Sequence, residues 1–114
     1  MKKIDLHIHT VSTVSDKAFD FDLSKLKEYT EKLEIDAIAI TNHNIFDFKQ
    51  YNEIVKELNV TIFPGIEIDL ERGHLLLIAD NKDLSEINDF AKKCERISAL
   101  ISTKDDFITL VQFN

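Results

Sequence analysis

Residues 36–41 read DAIAIT, a short apolar run with a polar residue at either end. Such a run is typical of a strand that is buried on both faces of a parallel sheet. Apolar residues recur at helical spacing over residues 23–33 before this run and over residues 46–58 after it. A buried strand between two helices predicts βαβ connections, and therefore an α/β fold with a parallel sheet.

Further strands are predicted on both sides of this unit. Residues 3–8 alternate between apolar and polar side chains, which is a strand signature. Residues 60–63 are β-branched and aromatic, and the alternating residues 64–70 continue them. Residues 71–73 resemble a tight turn and the apolar residues 74–79 follow it, so we expect the last two strands to form a hairpin.

The remainder of the chain is predicted to be helical. A long helical pattern covers residues 84–102, and residues 105–114 are a weaker helical candidate. The complete order is then βαβαββα, with parallel strands and one hairpin. We interpret residues 1–114 as a single small domain, with its core motifs in residues 5–78 and a helical tail in residues 84–114.

The composition agrees with a globular domain. Of the 114 residues, 44% are hydrophobic, which is enough apolar material for a core and argues against a disordered chain. The formal net charge of −7 argues against a bare nucleic-acid-binding module, because contacts with phosphates need a basic surface. It leaves open a nucleic-acid substrate that is held through bound cations.

The sequence shows no sign of secretion or of membrane insertion. Cys94 is the only cysteine, so no internal disulfide can form, and a zinc site built mainly from cysteines is excluded. The start lacks the apolar region of a signal peptide, and no stretch approaches the roughly 20 apolar residues of a membrane span. We therefore expect a cytoplasmic protein with no membrane partner.

The four histidines all fall near predicted strand ends. His7 and His9 are two residues apart at the end of the first strand, so their side chains share a face. His43 follows the second strand by two residues, and His74 opens the last strand. A lone histidine is more often structural, but chemistry in parallel α/β folds sits at the carboxyl ends of strands. Four histidines near one edge predict a metal site, and imidazoles suit zinc, manganese or iron.

Two carboxylates are candidate partners of these histidines. Glu67 lies on an extended segment after Gly65, where glycine permits close approach of the backbone, and Asp16 lies in the loop of residues 10–22. Taken alone, Glu67 is also explained as a solvated strand residue, and Asp16 is more often a turn or cap residue than a ligand. If residues 72–73 form the turn, Glu67, Asp69, Glu71 and His74 share one face of the hairpin. A register shift of one residue would change which residues share that face.

Five short motifs resemble those of the PHP (polymerase and histidinol phosphatase) superfamily and occur in the same order. They are DLHIHT at 5–10, SD at 15–16, TNHN at 41–44, PGIE at 64–67 and GHLLLI at 73–78. An HxH motif alone would also fit amidohydrolase barrels. Those enzymes usually carry a metal-bridging lysine on a later strand, and no candidate for it is evident here.

The resemblance implies a fold, a metal centre and an activity. The fold is a distorted, TIM-like (β/α)7 barrel that holds up to three divalent ions (Zn, Mn or Fe). The implied metal ligands are His7, His9, Asp16, His43, Glu67 and His74. Glu67 is implied to bridge two ions, and His7, His9, Glu67 and His74 are implied to act in catalysis through the bound metal. Asp5 and Asn42 are implied to orient the histidines.

The implied reaction is phosphoester hydrolysis, as in a histidinol phosphatase-like hydrolase. Metal ions polarise the phosphate and activate the attacking water. Bound cations also explain how an acidic chain accepts an anionic substrate. The substrate classes that fit are a phosphorylated small molecule and a nucleic-acid end.

The sequence departs from the PHP pattern in three respects. Asn42 replaces the usual aspartate, and the loop before Asp16 is about two residues longer than usual. No histidine follows His74, so the chain supplies six of nine expected ligands and about half a barrel. We therefore expect an N-terminal part of a longer protein, such as one with a following ATPase domain, or a chain completed by self-association. The alternative functions are a non-catalytic metal-binding structural or regulatory module and a small α/β interaction domain.

Overall fold

The computed structural model describes residues 1–70 and 72–97 and shows a mixed α/β fold. In order, the elements are β1 (Ile4–Ile8), α1 (Leu23–Lys32), β2 (Ala37–Ile40), α2 (Phe48–Glu57), β3 (Thr61–Leu70), β4 (Gly73–Ile78), a 3₁₀ turn (Asn81–Asp83) and α3 (Leu84–Ile97). The predicted order βαβαββα is confirmed. The helical candidate at residues 105–114, and the last residues of the helix predicted at 84–102, lie outside the described residues.

The four strands form one curled sheet in the order β1-β2-β3-β4, equivalent to about half a barrel. β1, β2 and β3 are parallel, and β4 is antiparallel to β3. β3 is long because it serves two neighbours: its first half pairs with β2, and residues 65–70 pair with β4. A partial (β/α)7-like barrel is therefore the observed architecture, as predicted.

The hairpin register differs from the one that a turn at residues 72–73 would give. Leu70 pairs with Gly73 and Asp69 with His74, whereas that turn would pair residue 71 with His74. The observed register changes each partner number by two, and side chains in a strand alternate with a period of two. The predicted shared face therefore survives, with Asp69 directly opposite His74. Glu71 lies outside the described residues.

Capping carboxylates determine where the first two helices begin. The Asp22 side chain accepts a hydrogen bond from the Lys25 amide at the start of α1, and Asp47 accepts one from Gln50 at the start of α2. The helical pattern predicted from residue 46 therefore starts two residues later. Phe46 remains outside the helix and packs into the core.

The core forms where the sheet meets the helices. Its fully buried side chains include Ile38 from β2, Ile54 from α2 and Ile66 from β3. The Tyr51 hydroxyl donates a hydrogen bond of 2.8 Å to the Ile62 carbonyl, which ties α2 to β3. Burial raises the pKa of Tyr51 to about 12.

A Pro-Gly pair lies where β3 exchanges its partners. The Pro64 carbonyl accepts a 2.9 Å hydrogen bond from Ala79, beyond the end of β4. At Gly65 a Cβ atom would lie 2.8 Å from the Leu77 carbonyl oxygen and 2.9 Å from Thr41 Cγ2. Residue 65 must therefore be glycine for β2, β3 and β4 to approach this closely. Among the described helices, none is long and apolar enough to cross a membrane.

Candidate metal centre

The candidate site lies where the chain continues past the ends of β1 and β2, beside the second half of β3. After β2 ends, the main chain stays against β3: the Glu67 amide donates to the Asn42 carbonyl, and the Asn44 amide donates to the Glu67 carbonyl, both at 2.8 Å. His43 forms an isolated parallel bridge with Glu67. This backbone pairing sets the His43 side chain next to the Glu67 side chain.

The carboxylate of Glu67 contacts all four histidines. Its Oε1 atom lies 2.9 Å from both His7 Nε2 and His9 Nε2, and 3.4 Å from His43 Nε2. Its Oε2 atom lies 3.5 Å from His74 Nδ1. The histidines that the sequence placed near one edge thus converge on one carboxylate.

Asp16 reaches the same cluster from the loop between β1 and α1. Its Oδ2 atom accepts hydrogen bonds from the Thr13 amide at 3.0 Å and the Thr13 hydroxyl at 2.9 Å. Its Oδ1 atom lies 3.0 Å from His9 Nδ1 and 3.5 Å from His43 Nε2. One oxygen is therefore held by the loop while the other faces the imidazoles.

Asp69 belongs to the cluster, although the sequence-based ligand set omits it. Its Oδ1 atom lies 2.7 Å from both His43 Nδ1 and His74 Nδ1. The sequence did carry a signal, because Asp69 is two residues after Glu67 and therefore shares its face of β3. Alternation alone does not separate a carboxylate that faces a site from one that faces water.

Asp5 and Asn42 lie where the sequence predicts, but they hold main chain rather than imidazole rings. Asn42 Oδ1 accepts hydrogen bonds from the Thr10 amide at 2.6 Å and the Val11 amide at 2.8 Å. Asp5 accepts from the His7 amide at 3.2 Å and from the Tyr29 hydroxyl at 2.7 Å. The asparagine thus fixes the backbone that follows His9.

The donor atoms are close enough to share ions. Among the described residues, three groups bring one nitrogen or oxygen atom per residue to within 4.8 Å of one another. The groups are His7/His9/Glu67, His9/Asp16/His43 and His43/Glu67/Asp69/His74. A mixed set of imidazole and carboxylate donors suits divalent transition metals such as zinc, manganese and iron.

The three carboxylates of the cluster favour their ionised forms. Burial alone would raise the pKa of Glu67, but hydrogen bonds from His7 and His9 and the charge of His43 outweigh burial and lower it. Burial would also raise the pKa of Asp16, but hydrogen bonds, chiefly those with Thr13, outweigh burial and lower the pKa. The pKa of Asp69 is lowered against burial by Ser15, His43 and His74. The ionised carboxylate is the form in which Asp and Glu bind cations.

The cluster is closed on one side and open on the other. The side chains of Glu67 and His43 are only 4% and 9% exposed. Those of His7 and His74 are 50% and 58% exposed. A ligand from solvent would therefore meet His7 and His74 first.

A comparison with known protein families finds one family that matches this chain. The family model described as PHP domain matches residues 5–104. No curated protein and no solved structure matches the chain. The family match covers all five motifs and every residue of the cluster, and it confirms the resemblance predicted from the sequence. The chain therefore belongs to the PHP superfamily, which includes metal-dependent phosphoesterases.

Proposed function

We propose that this protein is a metal-dependent phosphoesterase of the PHP type. The observation that carries the proposal is the position of Glu67, whose two carboxylate oxygens face nitrogen atoms of four histidines. Because the Nε2 atoms of His7, His9 and His43 all lie nearest Oε1, this buried oxygen is suited to bridging two cations. Two-metal sites of this kind serve phosphatases and nucleases.

The donor atoms support at least two ions. His9 and His43 each occur in two of the three groups, but a neutral imidazole has a single lone pair for a metal. The three groups cannot all be filled at once. We assign one ion to His7, His9 and Glu67 and a second ion to Asp16, His43 and Glu67, and His74 remains a predicted ligand on the open side.

The charge of the cluster links substrate binding to metal binding. Without cations, the ionised Asp16, Glu67 and Asp69 would repel a phosphate group. Bound divalent ions reverse that local field, polarise the phosphate and lower the pKa of a water molecule. The half-exposed His7 and His74 leave the approach open for a phosphorylated small molecule or a nucleic-acid end.

Hydrolysis of p-nitrophenyl phosphate after metal depletion and reloading tests this proposal. We expect turnover with zinc, manganese or iron, and none in the depleted protein. Glu67→Gln should remove turnover, whereas Glu53→Gln makes the same change of charge on the exposed face of α2 and should retain it. Turnover that survives complete metal depletion would contradict the proposal.

A non-catalytic metal-binding module is the second candidate. It is supported by the same donor groups, because clusters of imidazole and carboxylate atoms can hold an ion without catalysing a reaction. Stoichiometric metal without turnover, for any of the three metals, would support this candidate over the esterase.

A further inference from the structure

We infer that Asp69 is a positioning residue that fixes the tautomer and orientation of His43 and His74. This inference rests on the proposed metal centre. It concerns a residue that neither the PHP motifs quoted above nor the predicted ligand set includes.

The two nitrogens of His43 have different surroundings. Nδ1 lies 2.7 Å from Asp69 Oδ1, which is the length of a short, charge-assisted hydrogen bond. Nε2 lies 3.4 Å from Glu67 Oε1 and 3.5 Å from Asp16 Oδ1. Nδ1 therefore makes the short contact expected of a hydrogen bond, and Nε2 is the nitrogen that remains available for a cation.

The same oxygen of Asp69 also faces His74. His74 Nδ1 lies 2.7 Å from Asp69 Oδ1, because the hairpin register sets the two residues directly opposite each other. A carboxylate oxygen can accept two hydrogen bonds. Both imidazoles therefore donate from Nδ1, and each keeps Nε2 as the nitrogen with a free lone pair.

The other oxygen of Asp69 is held by two further donors. Ser15 Oγ donates to Oδ2 at 2.7 Å, and Asn44 Nδ2 donates to it at 3.3 Å. Asn44 also accepts a 2.9 Å hydrogen bond from the Asp69 amide, and its own backbone is in the left-handed region (φ 57°), which asparagine tolerates. Asp69 thus joins the loop of Asp16, the segment after β2 and the hairpin.

An asparagine at this position could not make the same contacts. The carboxylate accepts four hydrogen bonds and donates none, whereas an amide replaces one acceptor oxygen by a donor NH₂ group. In Asp69→Asn the NH₂ group would face either the two imidazoles or the Ser15 and Asn44 pair. Loss of such an outer partner of a ligating histidine typically weakens metal binding about 10–100-fold.

The first test measures zinc affinity by competition with a chelating indicator. We expect Asp69→Asn to bind zinc about 10–100-fold more weakly than the wild type. Asp89→Asn, on the exposed face of α3, is the matched control and should bind with wild-type affinity. Equal affinities for the two variants would overturn the inference.

The second test reads the tautomers directly from ¹⁵N chemical shifts of the histidine rings, in the metal-free protein at pH 8.5. A neutral imidazole carries a proton on one nitrogen only, and the two nitrogens then differ in ¹⁵N shift. We expect His43 and His74 to carry the proton on Nδ1 in the wild type and in Asp89→Asn, and to shift toward the Nε2–H form in Asp69→Asn. A wild type with the proton on Nε2 of both rings would overturn the inference.

The two tests separate this inference from the proposed function. A wild-type protein that binds no zinc would contradict the metal centre, while the metal-free spectrum would still decide whether Asp69 sets the tautomers. A protein that binds metal without turnover would contradict the esterase and would leave both measurements of Asp69 intact.

Discussion

β3 and β4 lie side by side in the sheet, and they differ in how much of their apolar surface is covered. Ile66 of β3 is 0% exposed, whereas Leu76 of β4 is 39% exposed. β3 has a strand on each edge and helices that pack against it, while β4 is the edge strand of the sheet formed by residues 1–70 and 72–97. Both strands have apolar sequences. How far their side chains are buried depends on the strands and helices that lie next to each of them.

The same difference divides the candidate metal centre. Glu67 of β3 is a buried donor held by backbone pairing on both sides, and His74 of β4 is an exposed donor at the edge. Groups that are rigidly held favour tight binding of ions, and exposed groups can meet a substrate. We therefore expect changes on β3 to affect the centre and the fold more than equivalent changes on β4.

The largest expected effect is that of Glu67→Gln on metal binding. It removes the carboxylate that faces all four histidines, so we expect metal affinity to fall by more than about 100-fold, beyond the range for an outer partner. His74→Ala, at the exposed end, should weaken binding less, and Glu53→Gln should leave it unchanged. Calorimetric titration with zinc measures all three variants. Equal losses in Glu67→Gln and His74→Ala would contradict the division between the two strands.

The next effect concerns the apolar side chains of the two strands. Ile66→Ala leaves a cavity in the core and should lower the free energy of unfolding by about 2–5 kcal/mol. Leu76→Ala removes a side chain that is already partly solvated, and its cost should stay below about 1 kcal/mol. Urea denaturation followed by circular dichroism measures both. Similar costs would show that β4 is covered in solution.

Gly65→Ala tests the close approach of the strands around β3. The added Cβ atom would meet the Leu77 carbonyl and Thr41 at distances below 3.0 Å, and neither neighbour is the free end of a flexible chain. We expect a loss of about 1–3 kcal/mol in the free energy of unfolding, as for overpacked sites. A stability equal to that of the wild type in the same urea experiment would contradict the packing at residue 65.

The smallest effect is expected where α2 supports the start of β3. Tyr51→Phe removes the hydrogen bond to the Ile62 carbonyl and should cost about 1 kcal/mol. The raised pKa of about 12 gives a second check. Because the folded state keeps Tyr51 neutral, its contribution to stability is complete below about pH 10 and is lost as the pH rises through about 12. A wild type that ionises all its tyrosines near pH 10 while folded would contradict this burial.

Much of the fold follows from local sequence patterns. The buried run at residues 36–41 contains β2, and the helical spacing locates α1, α2 and the start of α3 within a few residues. The differences have local physical causes. Asp47 caps α2 and excludes Phe46 from it, and the hairpin pairs His74 with Asp69 rather than with residue 71.

The candidate site was predictable to a lesser extent. The spacing of His7 and His9 and the motifs around His43 and Glu67 indicate the cluster, because strand ends and a period of two fix which face each side chain takes. The roles of Asn42 and Asp69 depend on contacts across more than 20 residues of sequence. Those contacts arise from sheet pairing and register, which no local pattern specifies.

The central claim is that this cluster binds metal ions through Glu67. Elemental analysis of the purified chain, loaded with excess zinc or manganese and then freed of unbound metal by gel filtration, tests it most directly. We predict at least two ions per chain in the wild type and fewer than one in Glu67→Gln. A wild type with a single ion would contradict the shared role of Glu67, and a folded wild type with none would contradict the metal centre.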